Sequence, residues 1–141
     1  IVGVILLRLG RYSIGVLRGQ KLLNGKSDSR YVKNRHRAGG SSQRRFERSR
    51  ERLIRELFDK VCQSAEEIFH PFENRINYFL LGGEHHTLQK FVKRCNFLKQ
   101  PSAQILKRRL RIHDPSRREL SEIHNEVWRS RVIVFTQSDK G

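Results

Sequence analysis

Acidic residues, methionine and cysteine are all scarce in this chain of 141 residues. Only 14 Asp and Glu oppose 30 Lys and Arg, methionine is absent, and cysteine occurs twice. A two-metal nuclease needs several carboxylates that converge on one site. The acids nearest the most basic stretch are Asp28, Glu47 and Glu51, and they form no evident acid/base pair. The composition therefore does not favour metal-dependent cleavage of nucleic acid.

Long apolar runs are also missing. The opening run, "IVGVILL", is interrupted by Arg8 after seven residues, whereas a membrane-spanning helix needs about 20 apolar residues. We interpret the run as a core strand and expect no membrane attachment. Because the chain starts inside this run without a methionine, we expect residues 1–141 to be one domain of a longer protein.

The two cysteines and six histidines give no pattern typical of a metal site. Cys62 and Cys95 are far apart and lie among apolar residues, which predicts buried, reduced thiols as in a cytosolic protein. His85 and His86 are neighbours at a predicted helix start, where adjacent side chains point in different directions. With no Cys or His pair at ligand spacing, we expect neither a metal nor another cofactor.

Positive charge is the most prominent feature that is present. The formal net charge of +16 favours a polyanionic partner, such as RNA, DNA or an acidic membrane surface. Half of the excess lies between Arg30 and Arg55, where ten Lys or Arg face two Glu. Arginine predominates there, and its guanidinium group binds phosphate in a bidentate manner. A solvated basic face is the alternative interpretation.

Hydrophobic periodicity predicts an α/β fold with a mixed sheet and helices packed on it. The first 32 residues are typical of three antiparallel strands, with turns at Gly10-Arg11 and Arg18-Gly19. Gly25 indicates a bulge or bend in the third strand. From Arg44 the spacing changes to that of a helix, which should end before Pro71.

The second half continues the alternation. "RINYFLL" predicts a strand bounded by Gly82-Gly83, and a helix with Leu88, Phe91 and Cys95 on one face follows. "LKRRLRI" predicts an extended segment. Asp114-Pro115 is typical of a helix start, with Asp as the cap. Leu120, Ile123 and Val127 should form the buried face of that helix, and "RVIVF" predicts a closing strand.

The segment "KNRHRAGGSSQRRF" contains the candidate chemistry. Its glycines precede a helix, so backbone N–H groups there could hold a phosphate, as could those after Gly82-Gly83. His36 could donate to a phosphate or act as a general acid; a solvated loop histidine is the alternative. Gln43 cannot accept a proton, but its amide can position a water or donate to a developing oxyanion. An exposed helix-start glutamine is the alternative for Gln43.

The sequence from Tyr12 to Glu51 resembles the catalytic region of the Vms-like release-factor family, including its bacterial peptidyl-tRNA hydrolase branch. The most specific pieces are "SRYV" at Ser29–Val32 and "AGGSSQRRF" at Ala38–Phe46. That family is related to the catalytic middle domain of eukaryotic and archaeal peptide chain release factors. The resemblance implies the release-factor middle-domain fold, a ribonuclease-H-like sheet found in components of the translational machinery.

The resemblance also implies a site. The loop with Gly39, Gly40, Ser41 and Ser42 would enter the peptidyl-transferase centre of the large ribosomal subunit, and Gln43 would be the functional glutamine. Release factors of the wider group have a contiguous Gly-Gly-Gln, whereas two serines precede Gln43 here. The residues expected to bind tRNA or rRNA are basic and flank this loop: Arg35, His36, Arg37, Arg44, Arg45 and Arg48.

Three functional hypotheses follow. The first is a ribosome-rescue peptidyl-tRNA hydrolase that acts in the cytoplasm as a monomer on stalled large subunits, with Gln43 positioning the attacking water. The second is an endonuclease that cuts the tRNA near its 3′ CCA end at the same site. The third is a non-catalytic RNA- or ribosome-binding module, in which the arginines act without Gln43.

Overall fold

The computed structural model describes residues 1–34, 41–100 and 103–140, and it describes the backbone alone for Ser41 and residues 130–140. Within these residues, three strands come first, and helices then alternate with two further strands. Their bounds are β1 Val2–Arg8, β2 Arg11–Arg18, β3 Lys21–Ser29, α1 Ser41–Phe69, β4 Tyr78–Gly83, α2 His85–Arg94, β5 Ile105–Leu110 and α3 Arg117–Lys140. Short 3₁₀ turns at His70–Phe72 and Asn96–Lys99 follow α1 and α2.

The strands form one mixed sheet in the order β3-β2-β1-β4-β5. The first three strands are the predicted antiparallel meander, and β1, β4 and β5 run parallel. The carboxyl ends of these three parallel strands therefore meet at one edge of the sheet. This arrangement confirms the predicted mixed sheet.

Helices cover both faces of the sheet. The first core lies under α1 and α2, and Leu57, Val61 and Phe69 of α1 are fully buried in it. The second core lies under α3, whose Leu120, Ile123 and Val127 are buried as predicted. Within the described part of the chain, no helix is long and apolar enough to cross a membrane.

Two local predictions were wrong in the sheet region. "RVIVF" continues α3, which extends to Lys140; β-branched residues favour strands only where a neighbouring strand is available to pair with them. The irregularity in β3 lies at Leu23, because Val16 pairs with Asn24 and Leu17 with Leu22. Gly25 pairs in register with Gly15.

The Gly15–Gly25 pair makes room for α3. A Cβ atom built on either glycine would come within 2.9 Å of a Leu120 methyl group, closer than two carbon atoms can approach without a shift. The glycine that indicated a bulge is therefore needed for the close approach of a helix to the sheet.

The start of α3 differs from the prediction. α1 begins at Ser41, and α3 begins at Arg117. The hydroxyl of Ser116 accepts a hydrogen bond from the Glu119 N–H (3.2 Å), so Ser116 is the cap of α3. Asp114 does not cap it, because its carboxylate forms an ion pair with Arg11 at 2.8 Å.

The prediction of reduced thiols was also wrong. Cys62 of α1 and Cys95 at the end of α2 form a disulfide, with their Cα atoms 5.5 Å apart. The apolar surroundings were predicted correctly, since Cys95 is buried and Cys62 packs against the same core. The pairing arises from the packing of α2 beside α1. A separation of 33 residues in sequence gives no sign of that packing.

We expect the disulfide to stabilise the fold measurably. Closing a loop of this length should contribute about 3 to 4 kcal/mol through the unfolded state. Addition of dithiothreitol should therefore lower the melting temperature of the native chain, as followed by circular dichroism. The Cys62→Ser/Cys95→Ser variant is the control, because its melting temperature should not respond to the reductant. An equal response of both proteins would contradict the disulfide.

Candidate functional site

The first half of α1 extends beyond the hydrophobic core. Between Ser42 and Glu56 no residue is fully buried, and the first fully buried side chain of the helix is Leu57. The interval from Ser41 to Leu57 corresponds to about 24 Å of helix. α1 is therefore anchored by its second half, and it presents its amino-terminal turns at the surface.

Gln43 lies in the first turn of α1 and is half-buried. Its side-chain Nε2 donates a hydrogen bond to Oε1 of Glu47, one turn further along, at 2.8 Å. Such i,i+4 pairs meet on the same side of a helix. The bond gives the Gln43 amide a defined orientation, a role for Glu47 that the sequence did not reveal.

The segment before the candidate loop is held by contacts with the β1–β2 turn and with α1. The Arg30 N–H donates to the Gly10 carbonyl at 2.9 Å. Arg50 of α1 donates from Nε to the Lys33 carbonyl at 3.0 Å, and the Lys33 ammonium lies 5.3 Å from the centre of the Phe46 ring. This cation–π geometry and hydrogen bond hold Lys33 beside the helix. Lys33 and Arg50 are therefore structural contacts as well as charges.

Five arginines form a single stripe along α1. At 100° per residue their positions fall within an arc of about 100°, and they extend over about 16 Å. All five are exposed, with Glu51 at the border of the arc. We call them the arginine stripe: Arg44, Arg45, Arg48, Arg52 and Arg55. None of the ion pairs formed among described residues involves them.

Gln43 and the arginine stripe occupy different faces of the helix. Gln43 lies about 150° from the middle of the stripe and shares its face with Phe46 and Arg50. The structure therefore separates the predicted catalytic residue from the predicted RNA-binding residues of α1. Arg35, His36, Arg37, Gly39 and Gly40 lie outside the described residues. Ser42 is exposed in the first turn, and Ser41 is the first residue of the helix.

The two predicted phosphate positions at helix starts differ in their charge. At α2 the Glu84 carboxylate accepts hydrogen bonds from the N–H groups of His86 and Thr87 and from the Thr87 hydroxyl. The Thr87 hydroxyl above all, together with these N–H groups, lowers the pKa of Glu84 to about 2. That helix end is closed to a phosphate by its own carboxylate. The first turn of α1 contains no acidic residue.

Metal-binding clusters are absent from the described ranges. No three His, Cys, Asp or Glu side chains converge there. His85 and His86 are adjacent, with ring centres 5.7 Å apart, but no third ligand accompanies them among these residues. The described part of the site consists of amide, carboxylate, guanidinium, ammonium and backbone groups, which can position and stabilise charge.

A cleft that the sequence did not reveal opens where the three parallel strands end. It has a volume of about 470 Å³. Arg8, the last residue of β1, and His113, which lies beyond β5, line this cleft. Lys33 and Arg50 line it as well. We call it the edge cleft. Its position depends on which strands are neighbours, and that order is not readable from local patterns.

Fold and site together define a release-factor domain. The chain superposes on the crystal structure of an archaeal translation termination factor, aRF1, with a TM-score of 0.57 and 16% identity. The match covers 98% of this chain and 39% of that one. More specifically, residues 1–133 match the model of the Actinobacteria/chloroflexi VLRF1 release factor family, acVLRF1. The chain belongs to that family.

Curated relatives agree. The chain is 35% identical over 89 residues to peptide chain release factor subunit 1 of Archaeoglobus fulgidus and 34% identical over 92 residues to that of Methanosphaera stadtmanae. These alignments cover 63% and 65% of the chain. They cover 22% of each relative, so the chain spans about a fifth of the length of these proteins.

The arginine stripe should bind RNA through phosphates. Replacing Arg48 and Arg52 by Ala should weaken binding to single-stranded RNA and reduce the slope of log K against log salt by about 1.4, since each lost phosphate contact contributes about 0.7. Fluorescence anisotropy over a salt series measures both. Arg18→Ala, an exposed arginine at the end of β2, is the control. An unchanged slope in the double variant would show that the stripe is only a solvated face.

Proposed function

We propose that this domain is the catalytic part of a ribosome-associated release factor that hydrolyses peptidyl-tRNA and frees nascent chains from stalled large subunits. Family membership supports a role in peptide release. The observation that carries the catalytic assignment is the position of Gln43 in the first turn of a long helix that extends beyond the core. Its side chain is oriented there by Glu47.

The proposed chemistry is an attack of water on the ester between peptide and tRNA. An amide cannot remove a proton from water at neutral pH, so Gln43 acts by orientation. Its side chain holds the water in line with the ester carbonyl, or donates to the developing oxyanion. Because the substrate is itself a polyanion, the surrounding arginines bind it, and the RNA can provide the remaining polar groups.

The proposed partners are the large subunit, through its rRNA and peptidyl-transferase centre, and peptidyl-tRNA. The residues proposed to contact them combine the exposed Arg44, Arg45 and Arg48 with Arg35, His36 and Arg37, which lie outside the described residues. The proposed place of action is the cytoplasm, with the protein as a monomer. Disulfides are uncommon in that compartment, so the Cys62–Cys95 bond should contribute there only in the fraction that stays oxidised.

Gln43→Ala should reduce peptide release by about 100-fold or more, because loss of one positioned catalytic donor typically has an effect of that size. The assay measures labelled peptide released from peptidyl-tRNA on isolated large subunits. Gln63→Ala is the matched control: the same substitution in the same helix at an exposed position, with no expected effect.

The 3′ end of the tRNA product separates the proposed hydrolase from the other two hypotheses. Ester hydrolysis leaves the 3′ adenosine intact. A shortened 3′ end would contradict hydrolysis and indicate the endonuclease. Full release by Gln43→Ala would contradict a catalytic role for the glutamine, and no release by the native protein would leave the domain as an RNA-binding module.

Glu47 should act as a positioning residue for Gln43. Glu47→Ala removes the acceptor at 2.8 Å and should lower kcat by about tenfold, within the range for a lost hydrogen bond to a charged group. Glu47→Gln retains an acceptor and should retain most of the activity. RNA affinity should not fall in either variant, because a negative charge is removed. Glu67→Ala, an exposed acid of α1, is the control; equal kcat values in all these proteins would contradict the role.

A further inference from the structure

The face of α1 that bears Gln43 leads into the edge cleft. Gln43, Phe46 and Arg50 lie within about 60° of one another around the helix axis, and Arg50 lines the cleft. Among the described residues, the cations nearest to Gln43 along this face are therefore those of the cleft, because the arginine stripe points away. A substrate strand that reaches Gln43 from this side must meet Arg50, Lys33 and Arg8 first.

We infer that the edge cleft binds the sugar–phosphate backbone of the RNA strand whose 3′ end reaches Gln43, an inference that rests on the proposed function. The cleft contains three formal positive charges, on Arg8, Lys33 and Arg50. None of the ion pairs among the described residues involves them. Among the described residues, the Arg8 side chain forms one long hydrogen bond of 3.5 Å, from Nη1 to the His113 carbonyl.

Among the described residues that line the cleft, the one acid is Glu84, and its carboxylate already accepts hydrogen bonds. Glu84 accepts from two backbone N–H groups and one hydroxyl at 2.7–3.0 Å. These bonds lower the pKa of Glu84 to about 2, and the Thr87 hydroxyl has the largest effect. The Glu84 carboxylate is therefore ionised at neutral pH, and it faces the start of α2. The positive helix end offsets its charge. The three cations therefore dominate the field in the cleft.

The lining matches a nucleotide unit better than a free anion. Leu7, Leu9, Val32 and Ile112 provide an aliphatic floor beside the cations. A ribose can lie against such a floor while its phosphates contact guanidinium groups. Among the described lining residues there is no Phe, Tyr or Trp, so base stacking of the kind used by single-strand binding platforms is not expected. Recognition should therefore be independent of sequence.

The distance between Gln43 and Arg50 along the helix indicates which nucleotides would lie in the cleft. Gln43 and Arg50 are seven residues apart, which is about 10 Å of helix rise. Stacked nucleotides advance about 3.4 Å each along one strand. About three nucleotides separate the cleft from the reacting ester, and fewer do so if the strand is extended. The terminal CCA segment of tRNA is the stretch that this distance selects.

The ends of β1 and β4 approach each other closely at the floor of the cleft. Gly83, the last residue of β4, has a φ of 143°, and a Cβ atom at this position would collide with the Leu7 carbonyl. Glycine is needed where a backbone adopts such a conformation. The β1 and β4 chains therefore approach closely at the floor, and Arg8 is the next residue after Leu7.

Arg8→Gln and Arg11→Gln form a matched pair for the test. The two arginines face each other across the β1–β2 ladder, but the Arg11 guanidinium is bound to Asp114 at 2.8 and 3.1 Å. Anisotropy would measure binding of a labelled single-stranded RNA that ends in CCA. Arg8→Gln should weaken affinity about five- to tenfold and lower the salt slope by about 0.7. Arg11→Gln should match the wild type, and Arg8→Lys, which retains the charge, should restore most of the slope.

The outcomes distinguish this inference from the proposed function. Wild-type affinity and slope in Arg8→Gln, with release still abolished by Gln43→Ala, would overturn the cleft assignment and leave the hydrolase. Weakened binding in Arg8→Gln, with normal release by Gln43→Ala, would support the cleft and reject the proposed catalytic role of Gln43. Displacement of the RNA by millimolar inorganic phosphate alone would overturn the assignment to an RNA strand, since a free anion would then satisfy the site.

Discussion

The packing of the second half of α1 on the sheet determines where the candidate functional groups of α1 lie. Leu57, Val61 and Phe69 are fully buried there, and burial of each such side chain contributes about 1.5–3 kcal/mol. A buried hydrogen bond between the Tyr12 hydroxyl of β2 and the Ser64 hydroxyl of α1, at 3.2 Å, fixes how the helix sits. Non-directional apolar contacts alone would allow the helix to slide, whereas a buried polar pair would lose its partner.

This anchored half makes the exposed half useful. A helix is stiff over four turns. The packing of Leu57–Phe69 on the sheet therefore also sets the direction of the section from Ser42 to Glu56. Gln43 therefore has a defined place although no residue near it is fully buried. Two faces of this helix differ in charge. One carries the five arginines of the arginine stripe, and the other carries Gln43, Phe46 and Arg50. The proposed contacts with rRNA and with a tRNA end can each use one of these faces.

The sequence predicted those features that depend on local period or on composition. Leu120, Ile123 and Val127 were placed correctly because spacing alone defines the buried side of a helix. Gly25, Asp114 and "RVIVF" were misinterpreted because each pattern fits two structures, and only tertiary neighbours select one. The Cys62–Cys95 bond and the edge cleft depend on which elements pack together. Gln43 was identifiable only through the family resemblance, since its amide has no diagnostic spacing.

The scarcity of acids in the chain is consistent with a site based on orientation. In the described part of the molecule the acid in contact with Gln43 is Glu47, and it accepts a hydrogen bond from an amide that cannot give up a proton. A carboxylate acting as a general base would have to approach the ester through a strongly positive surface, where its pKa would fall and its basicity with it. An amide is unaffected by that field. It can therefore remain beside the cations proposed to bind RNA. The basic surface and a neutral residue in the proposed catalytic role are compatible for the same electrostatic reason.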